Sequence, residues 1–323
     1  MPYVFEPAVE VGRSTPVSPL IRRIVAANPS KFTYHGTGTY LVGHGDVAVI
    51  DPGPALPAHV EAIVAALEPA ERVTHILVTH THTDHSPATA ALQARTGAPS
   101  FGFGPHGPVP PDDPADRVVF GDPEADGKSE RASGAGRDEL REGADTAFVP
   151  DQRLVDGDVV AGSGWTFAAV HTPGHTSNHL CFALAEERSL FTGDHVMGWS
   201  TSVIGPPDGD LLQYLASLRL LLGRSDERYW PTHGAAVTDP KSLVTAYITH
   251  REERTQQILE ALATGPATIA ELVPQIYAEV AKTLWRPAAA SMYAHVLALV
   301  ADGRLAVDGD GIARRTSRYV RVA

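Results

Sequence analysis

Val73-Thr-His-Ile-Leu-Val-Thr79-His80-Thr-His82-Thr-Asp84-His85-Ser86-Pro87 joins two kinds of sequence. Its first half is a short, largely apolar and β-branched run, the pattern of a buried strand. Its second half places three histidines and an aspartate within six residues. Ser86-Pro87 then reads as an N-cap followed by proline at the first helical position, which predicts a helix over 87–96. A cluster of ligand-type side chains between a strand and a helix predicts a metal site on a loop at a sheet edge. Imidazole and carboxylate donors suit zinc or another borderline transition ion.

The flanking sequence supplies the rest of an α/β body. Thr39–Val42 and Val47–Ile50 read as strands joined by a turn at His44-Gly45-Asp46. Val60, Ile63, Val64 and Leu67 fall at helical spacing. Trp165–Val170 and Leu180–Leu184 read as strands, and Leu211, Leu215, Leu218 and Leu222 stripe a helix. Strands interleaved with helices predict an α/β fold. Beyond residue 240 the pattern changes. Leu243, Tyr247, Ile258 and Leu262 stripe a long helix that Gly265-Pro266 ends. Thr268-Ile-Ala-Glu271 is a capping box for a second helix, with a kink expected at Pro274. Ser291–Ala301 is a third helix. Leu305–Val307, the turn at Asp308-Gly309 and the run to Val320 form a hairpin pattern. Three helices and a hairpin predict a winged-helix unit.

Composition narrows the function. The chain has 323 residues, with 26 Lys and Arg against 38 Asp and Glu, a net charge of −12. Nonspecific coating of DNA is excluded by that sign. Residues 1–240 hold 16 basic and 30 acidic side chains, whereas residues 241–323 hold 10 and 8. A boundary near Asp239-Pro240 therefore divides an acidic body from a weakly basic C-terminal unit. Residues 108–150, with 5 basic and 11 acidic side chains and scattered Pro and Gly, predict a mobile surface insertion or a lid. The single cysteine, Cys181, excludes an intrachain disulfide framework and reads as a small core residue. No signal-peptide pattern and no spanning apolar run are present, so a cytoplasmic protein without membrane contact is expected.

More ligand-type residues follow other apolar runs: His171-Thr-Pro-Gly-His175, Phe191-Thr-Gly-Asp194-His195 and Tyr229-Trp-Pro-Thr-His233-Gly. The order His80-x-His82-x-Asp84-His85, His175, Asp194, His233 resembles the metallo-β-lactamase superfamily of hydrolases. Gly38-Thr-Tyr-Leu-Val and Val49-Ile-Asp51-Pro-Gly53 support the resemblance, which covers about residues 25–240. It implies an αββα sandwich with a dinuclear metal site at one edge. In that arrangement His80, His82 and His175 hold the first ion, Asp84, His85 and His233 the second, and Asp194 bridges both. Two zinc ions are expected, with iron or manganese served by the same donors. Ions with Asp84, Asp194 and a hydroxide leave a site of about +1. Metal lowers the pKa of water toward ~7. Asp84 is the expected catalytic side chain, orienting that water and taking its proton.

The aspartate bridge resembles the glyoxalase II, phosphodiesterase, RNase and lactonase branches rather than the exported β-lactamases. The C-terminal unit resembles that of the β-lactamase-like protein 2 group, through Tyr247-Ile-Thr-His250-Arg251, Gln256-Gln257-Ile258-Leu259 and Ala294-His295-Val-Leu-Ala-Leu-Val. Animal members of that group are single-strand-selective endoribonucleases. The first expectation is a zinc hydrolase of a small ester, thioester or lactone, and the alternative is an endoribonuclease acting on single-stranded RNA. Arg314-Arg315-Thr-Ser-Arg318-Tyr-Val-Arg321 favours the alternative if it meets phosphates, and is otherwise a solvated basic tail. An iron-dependent persulfide dioxygenase and a non-catalytic winged-helix regulator rank below both. The C-terminal unit is read as an RNA-positioning module, a homodimer surface or a wall of the pocket. His179 and His195 are placed next to the metals or in the core, and His171 is unassigned. Trp199-Ser200-Thr201 is either a substrate contact or a solvent loop. His250 and His295 are read as structural.

Overall fold

Strands with two buried faces read as continuous apolar runs, and the middle of the two central sheets is built from them. The computed structural model describes residues 1–107, 143–309 and 311–322. The first sheet contains β1 (Thr15–Pro16), β2 (Ile21–Val25), β3 (Gly38–Val42), β4 (Asp46–Ile50), β5 (Arg72–Leu77), β6 (Ser100–Gly102) and β7 (Gln152–Arg153), in that spatial order. The pairs from β1 to β4 are antiparallel and those from β4 to β7 parallel. The second sheet contains β8 (Val159–Gly162), β9 (Trp165–His171), β10 (Leu180–Leu184), β11 (Ser189–Gly193) and β12 (Arg228–Pro231). Its neighbours are antiparallel except β11 and β12, which run parallel.

The two-residue period decides which side chain enters which core. Tyr40, Val42, Ala48 and Ile50 of the first sheet meet Trp165, Phe167, Phe182, Phe191 and Trp230 of the second in the central core. Leu41, Val47 and Val49 point the other way. They pack with Val60 and Ile63 of α1 (Pro57–Ala65) and Leu92 of α2 (Thr89–Thr96). The far face of the second sheet is covered by α3 (Leu211–Leu222) and the start of α4 (Pro240–Ala261). The result is the expected αββα sandwich.

Helix α4 serves two cores. Its Leu243, Val244 and Tyr247 pack on the second sheet, and its Ile258 and Leu259 belong to the C-terminal core. That core is closed by α5 (Ile269–Ile276), α6 (Trp285–Ala301) and a small sheet of β13 (Ala267–Thr268), β15 (Arg318–Arg321) and β14 (Leu305–Asp308), in that order. The capping box at α5 is formed in both directions, with Thr268 Oγ1 accepting from Glu271 N and Glu271 accepting from Thr268 N. Pro274 sits inside α5, and α6 begins six residues before the expected Ser291. These are the helices and hairpin of the predicted winged-helix arrangement.

Two expectations change. The helix predicted over 87–96 starts at Thr89, with Ala88 as its N-cap. Ser86 does not cap it: its hydroxyl donates to Asp145 Oδ2 at 2.7 Å, and its carbonyl accepts from Thr89 N at 2.9 Å, so a turn over 86–89 precedes the helix. Of the expected mobile segment 108–150, residues 108–142 lie outside the described residues. Residues 143–150 are tied down: Thr83 N donates to Gly143 O at 2.8 Å, Asp145 N donates to Thr81 O at 2.7 Å, and Phe148 is buried. Cys181 is a core residue, as expected. Among the described residues no helix is long and apolar enough to cross a membrane.

Trp165 binds the sheets to each other. It lies on β9, fully buried, and its indole nitrogen donates to Asp46 O of β4 at 2.7 Å. The chain passes so close that a Cβ on Gly43 would sit 2.3 Å from its ring. Trp165→Ala is expected to destabilise the fold by about 3–5 kcal/mol. Urea unfolding followed by circular dichroism checks this, and a loss below about 1 kcal/mol would show that Trp165 does not couple the sheets.

Candidate metal centre

Four strand ends converge on one edge of the sandwich. The 80–85 loop follows β5, His175 follows β9, Asp194 follows β11 and His233 follows β12. All seven expected ligands come together there. His82 Nδ1 lies 3.0 Å from His80 Nε2 and 3.1 Å from His175 Nε2. Asp84 Oδ2 lies 3.1 Å from His233 Nε2 and 3.5 Å from His85 Nε2. Asp194 Oδ2 stands between, 3.5 Å from His85 Nε2 and 3.4 Å from His233 Nε2. Three trios each have ligand atoms within 4.8 Å of one another: His80–His82–His175, His80–His85–Asp194 and Asp84–His85–His233.

The two halves differ in charge. Burial, then the neighbouring imidazoles of His85, His82 and His175, hold His80 well below the usual imidazole range. Burial does the same to His82, followed by His175. These nitrogens are neutral, the form that binds metal. His85 is the reverse. Burial opposes its charge, but Asp84, Asp194 and Asp51 outweigh it and raise the imidazole well above its ordinary value. His233 is raised to about 10, with Asp194 and Asp84 overcoming burial. Burial opposes the charge of Asp84 as well, and His85 and His233 overcome it and hold the carboxyl below the usual range.

The donors fit divalent metal. His85 Nε2 and Asp194 Oδ1 are buried with no hydrogen-bond partner among the described residues, and such groups are costly without a ligand. The donor set is nitrogen and oxygen, with orienting partners in place. His175 Nδ1 donates to Val203 O at 2.7 Å, and His233 Nδ1 to Gly36 O at 3.3 Å. His85 Nδ1 donates to Asp51 Oδ2 at 2.9 Å. Such partners fix tautomer and ring direction.

Asp51 is the residue to which sequence reading gives no role. The motif Val49-Ile-Asp51-Pro-Gly53 marks its place, but its contacts are all distant in sequence. It also accepts from Thr79 N and Thr79 Oγ1, each at 2.8 Å, and from Thr232 Oγ1 at 2.9 Å. Thr37 Oγ1 donates to Asp84 Oδ2 at 3.3 Å and is itself held by Asn28. Thr81 Oγ1 meets His106 Nδ1 at 2.8 Å and accepts from Asn178 Nδ2 at 2.8 Å.

The remaining histidines sort by burial. His179 bonds Thr172 Oγ1 at 2.9 Å, and its ring centroid is 5.1 Å from that of His80. His195 is fully buried beneath the site, between His179 and Tyr214, and burial pushes it down to about 3. His171 lies outside the donor set, stacked on Phe103 at 4.3 Å. His295 bonds Thr255, and burial lowers His250 to about 4. Trp199 stacks on Tyr34 at 4.8 Å, so it is not a free solvent loop residue.

A family model described as the metallo-beta-lactamase superfamily matches residues 35–233, and one described as the beta-lactamase associated winged helix domain matches residues 268–315. The chain is 29% identical to lactamase-like protein aptB of Emericella nidulans, over 95% of this chain and 89% of that protein. It is 27% identical to an atrochrysone carboxyl ACP thioesterase of Aspergillus chevalieri, over 93% of this chain and 87% of that one. A beta-lactamase domain protein from Burkholderia ambifaria shares the fold, with a TM-score of 0.73 and 21% identity over 97% of this chain and 94% of that chain.

His85 and His233 sit above neutrality, so the metal-free chain holds both protons at pH 7 and must release them to bind metal. Zinc uptake is expected to release roughly two protons, and affinity at the Asp84–His85–His233 trio should fall by up to about a hundredfold per pH unit on acidification. Calorimetric titration in buffers of different ionisation enthalpy measures this. Uptake without proton release would show both imidazoles neutral beforehand.

Proposed function

We propose that this chain, which belongs to the metallo-beta-lactamase superfamily of hydrolases, uses two zinc ions to hydrolyse a thioester carried by an acyl carrier protein. The observation that carries this reading is the likeness to a relative named as an ACP thioesterase, which extends through both units of the chain. On this reading residues 1–240 are the catalytic unit and 241–323 the winged-helix unit. His80, His82 and His175 hold one ion, Asp84, His85 and His233 the other, and Asp194 lies between.

Bound divalent ions supply Lewis acidity and a nucleophile near neutral pH. The protein supplies the proton handling. Asp84 is the donor-set carboxylate with the most exposure, 18% at its side chain against 3% for Asp194. Oriented by the Thr37 hydroxyl, its carboxylate would accept the proton of an attacking water. A thiolate is a good leaving group, because thiol pKa values lie near ~8.5. It departs without a strong acid, so one carboxylate base is enough. The alkoxide released from RNA would require protonation.

The basic C-terminal stretch also favours acyl chemistry. Arg315 donates to Pro206 O, and Arg318 binds Pro266 O and Glu271. Two of its arginines thus have partners within the chain, Arg318 at the surface, which weakens the phosphate-binding footprint. Nitrogen and oxygen donors would also serve iron or manganese, so metal analysis belongs with the activity test.

The test is a panel of acyl-carrier-protein and coenzyme A thioesters, a lactone, a β-lactam and labelled single-stranded RNA. Zinc-loaded protein is expected to release free thiol from the thioesters. Asp84→Asn should lower kcat by about 10²-fold or more, and chelation should abolish turnover. RNA cleavage lost in the same two controls, with no thiol released, would replace this reading by the nuclease.

A further inference from the structure

The segment from Asp194 to Ile204 carries one donor and supports another. Val203 O accepts from His175 Nδ1, which leaves the other ring nitrogen of His175 directed at His82. Ser202 Oγ lies 2.5 Å from Asp194 O and 2.9 Å from His195 O, and the Tyr214 hydroxyl donates to His195 O at 2.8 Å. The Ser202 bonds fold the segment on itself, and Tyr214 ties it to α3. Two side chains of α4 anchor it further along. The Tyr247 hydroxyl meets Met197 O at 2.5 Å and also bonds Ser200 O. Arg251 Nη2 donates to Ser202 O. Four residues separate Tyr247 from Arg251, so both project from one face of the helix.

Arg251 is 3% exposed and lies over the Tyr214 ring at 5.5 Å. Among the described residues no carboxylate pairs with it. A buried guanidinium without a counter-ion costs more than an apolar side chain of the same volume. Filling space does not account for an arginine here, whereas holding the Ser202 carbonyl does.

We propose that Tyr247 and Arg251 are positioning residues of the metal centre, fixing the 194–204 segment and through it Asp194 and His175. This rests on the metal reading of the donor set. It gives the helix shared by the sandwich and the winged-helix unit a part in the site, although neither residue is a ligand. A one-residue displacement links each step: Arg251 holds residue 202, and residue 203 holds His175. Loosening the anchor frees the His175 ring and the backbone of Asp194 together.

The test uses the full chain and reads metal binding directly. Tyr247→Phe removes one oxygen and keeps the ring. Arg251→Met removes the donors and keeps most of the volume, and Arg251→Lys restores the charge and one donor group. Leu259→Ala, in the C-terminal core away from the segment, controls for lost stability. Zinc affinity comes from competition with a chromophoric chelator, and site geometry from the visible spectrum of the cobalt(II) form. Tyr247→Phe and Arg251→Met are expected to weaken zinc by about 10–100-fold and to shift the cobalt bands, with Arg251→Lys between them and the wild type. Leu259→Ala should leave affinity and spectrum unchanged. Wild-type affinity and bands in Tyr247→Phe and Arg251→Met, or equal losses in Leu259→Ala, would overturn the positioning role alone. A wild type that takes up no metal would overturn the metal reading and this inference with it.

Discussion

One carboxylate holds the site edge together. Asp51, at the end of β4, is fully buried and accepts four hydrogen bonds, from Thr79 N, Thr79 Oγ1, His85 Nδ1 and Thr232 Oγ1. Those donors lie at the ends of β5 and β12 and in the histidine loop, so a single anion spans both sheets. A buried carboxylate is tolerable only when its lone pairs are filled, and here they are. The backbone reflects the demand: Asp51 has φ +48°, a left-handed conformation that costs a non-glycine residue of order 1 kcal/mol. Its charge also raises His85, so the same group shapes and polarises the centre.

Close packing then leaves little freedom behind the donors. Gly193, just before Asp194, has φ +49°, and a Cβ there would lie 2.6 Å from His179 Nε2 and 2.8 Å from Thr79 Oγ1. A side chain at 193 would push apart the strand end that carries Asp194 and the layer beneath His80. His179 and His195, kept neutral chiefly by burial, form that layer. The donor set is electrically uneven as a result. Neutral imidazoles gather on the side facing His175, and carboxylates with protonated imidazoles gather on the side facing His233.

The winged-helix unit is continuous with this arrangement. Helix α4 packs first on the second sheet and then in the C-terminal core, and its buried Tyr247 and Arg251 reach the segment after Asp194. The acidic body and weakly basic C-terminal unit therefore meet through a shared helix. In the proposed mechanism Asp84 takes no partner from the C-terminal unit, and the proposed part of that unit in the site is backbone placement.

Much of this molecule is legible in its sequence, for definite reasons. Periodicity gave β10 its observed limits, because both of its faces are buried and its apolar run is uninterrupted. The capping box at Thr268 and Glu271 was legible because both partners are three residues apart. The seven candidate donors could be listed because their order and motifs, each after a strand, resemble those of a known superfamily. Ser86 stands outside the helix because its hydroxyl bonds Asp145, 59 positions away, a partner that no local pattern marks. Asp51 could be noticed but given no task, since Thr79, His85 and Thr232 are brought to it by two different sheets. Tyr247 and Arg251 stand in a helix stripe and a family-like motif, with no task legible in either, for the same reason. Local pattern determined which residues could ligate and which segments became strands and helices. Only the tertiary structure decided which carboxylate anchors the ligands, which imidazoles carry protons and which distant helix holds the loop, because burial and charge–charge distance exist only once the sheets have packed.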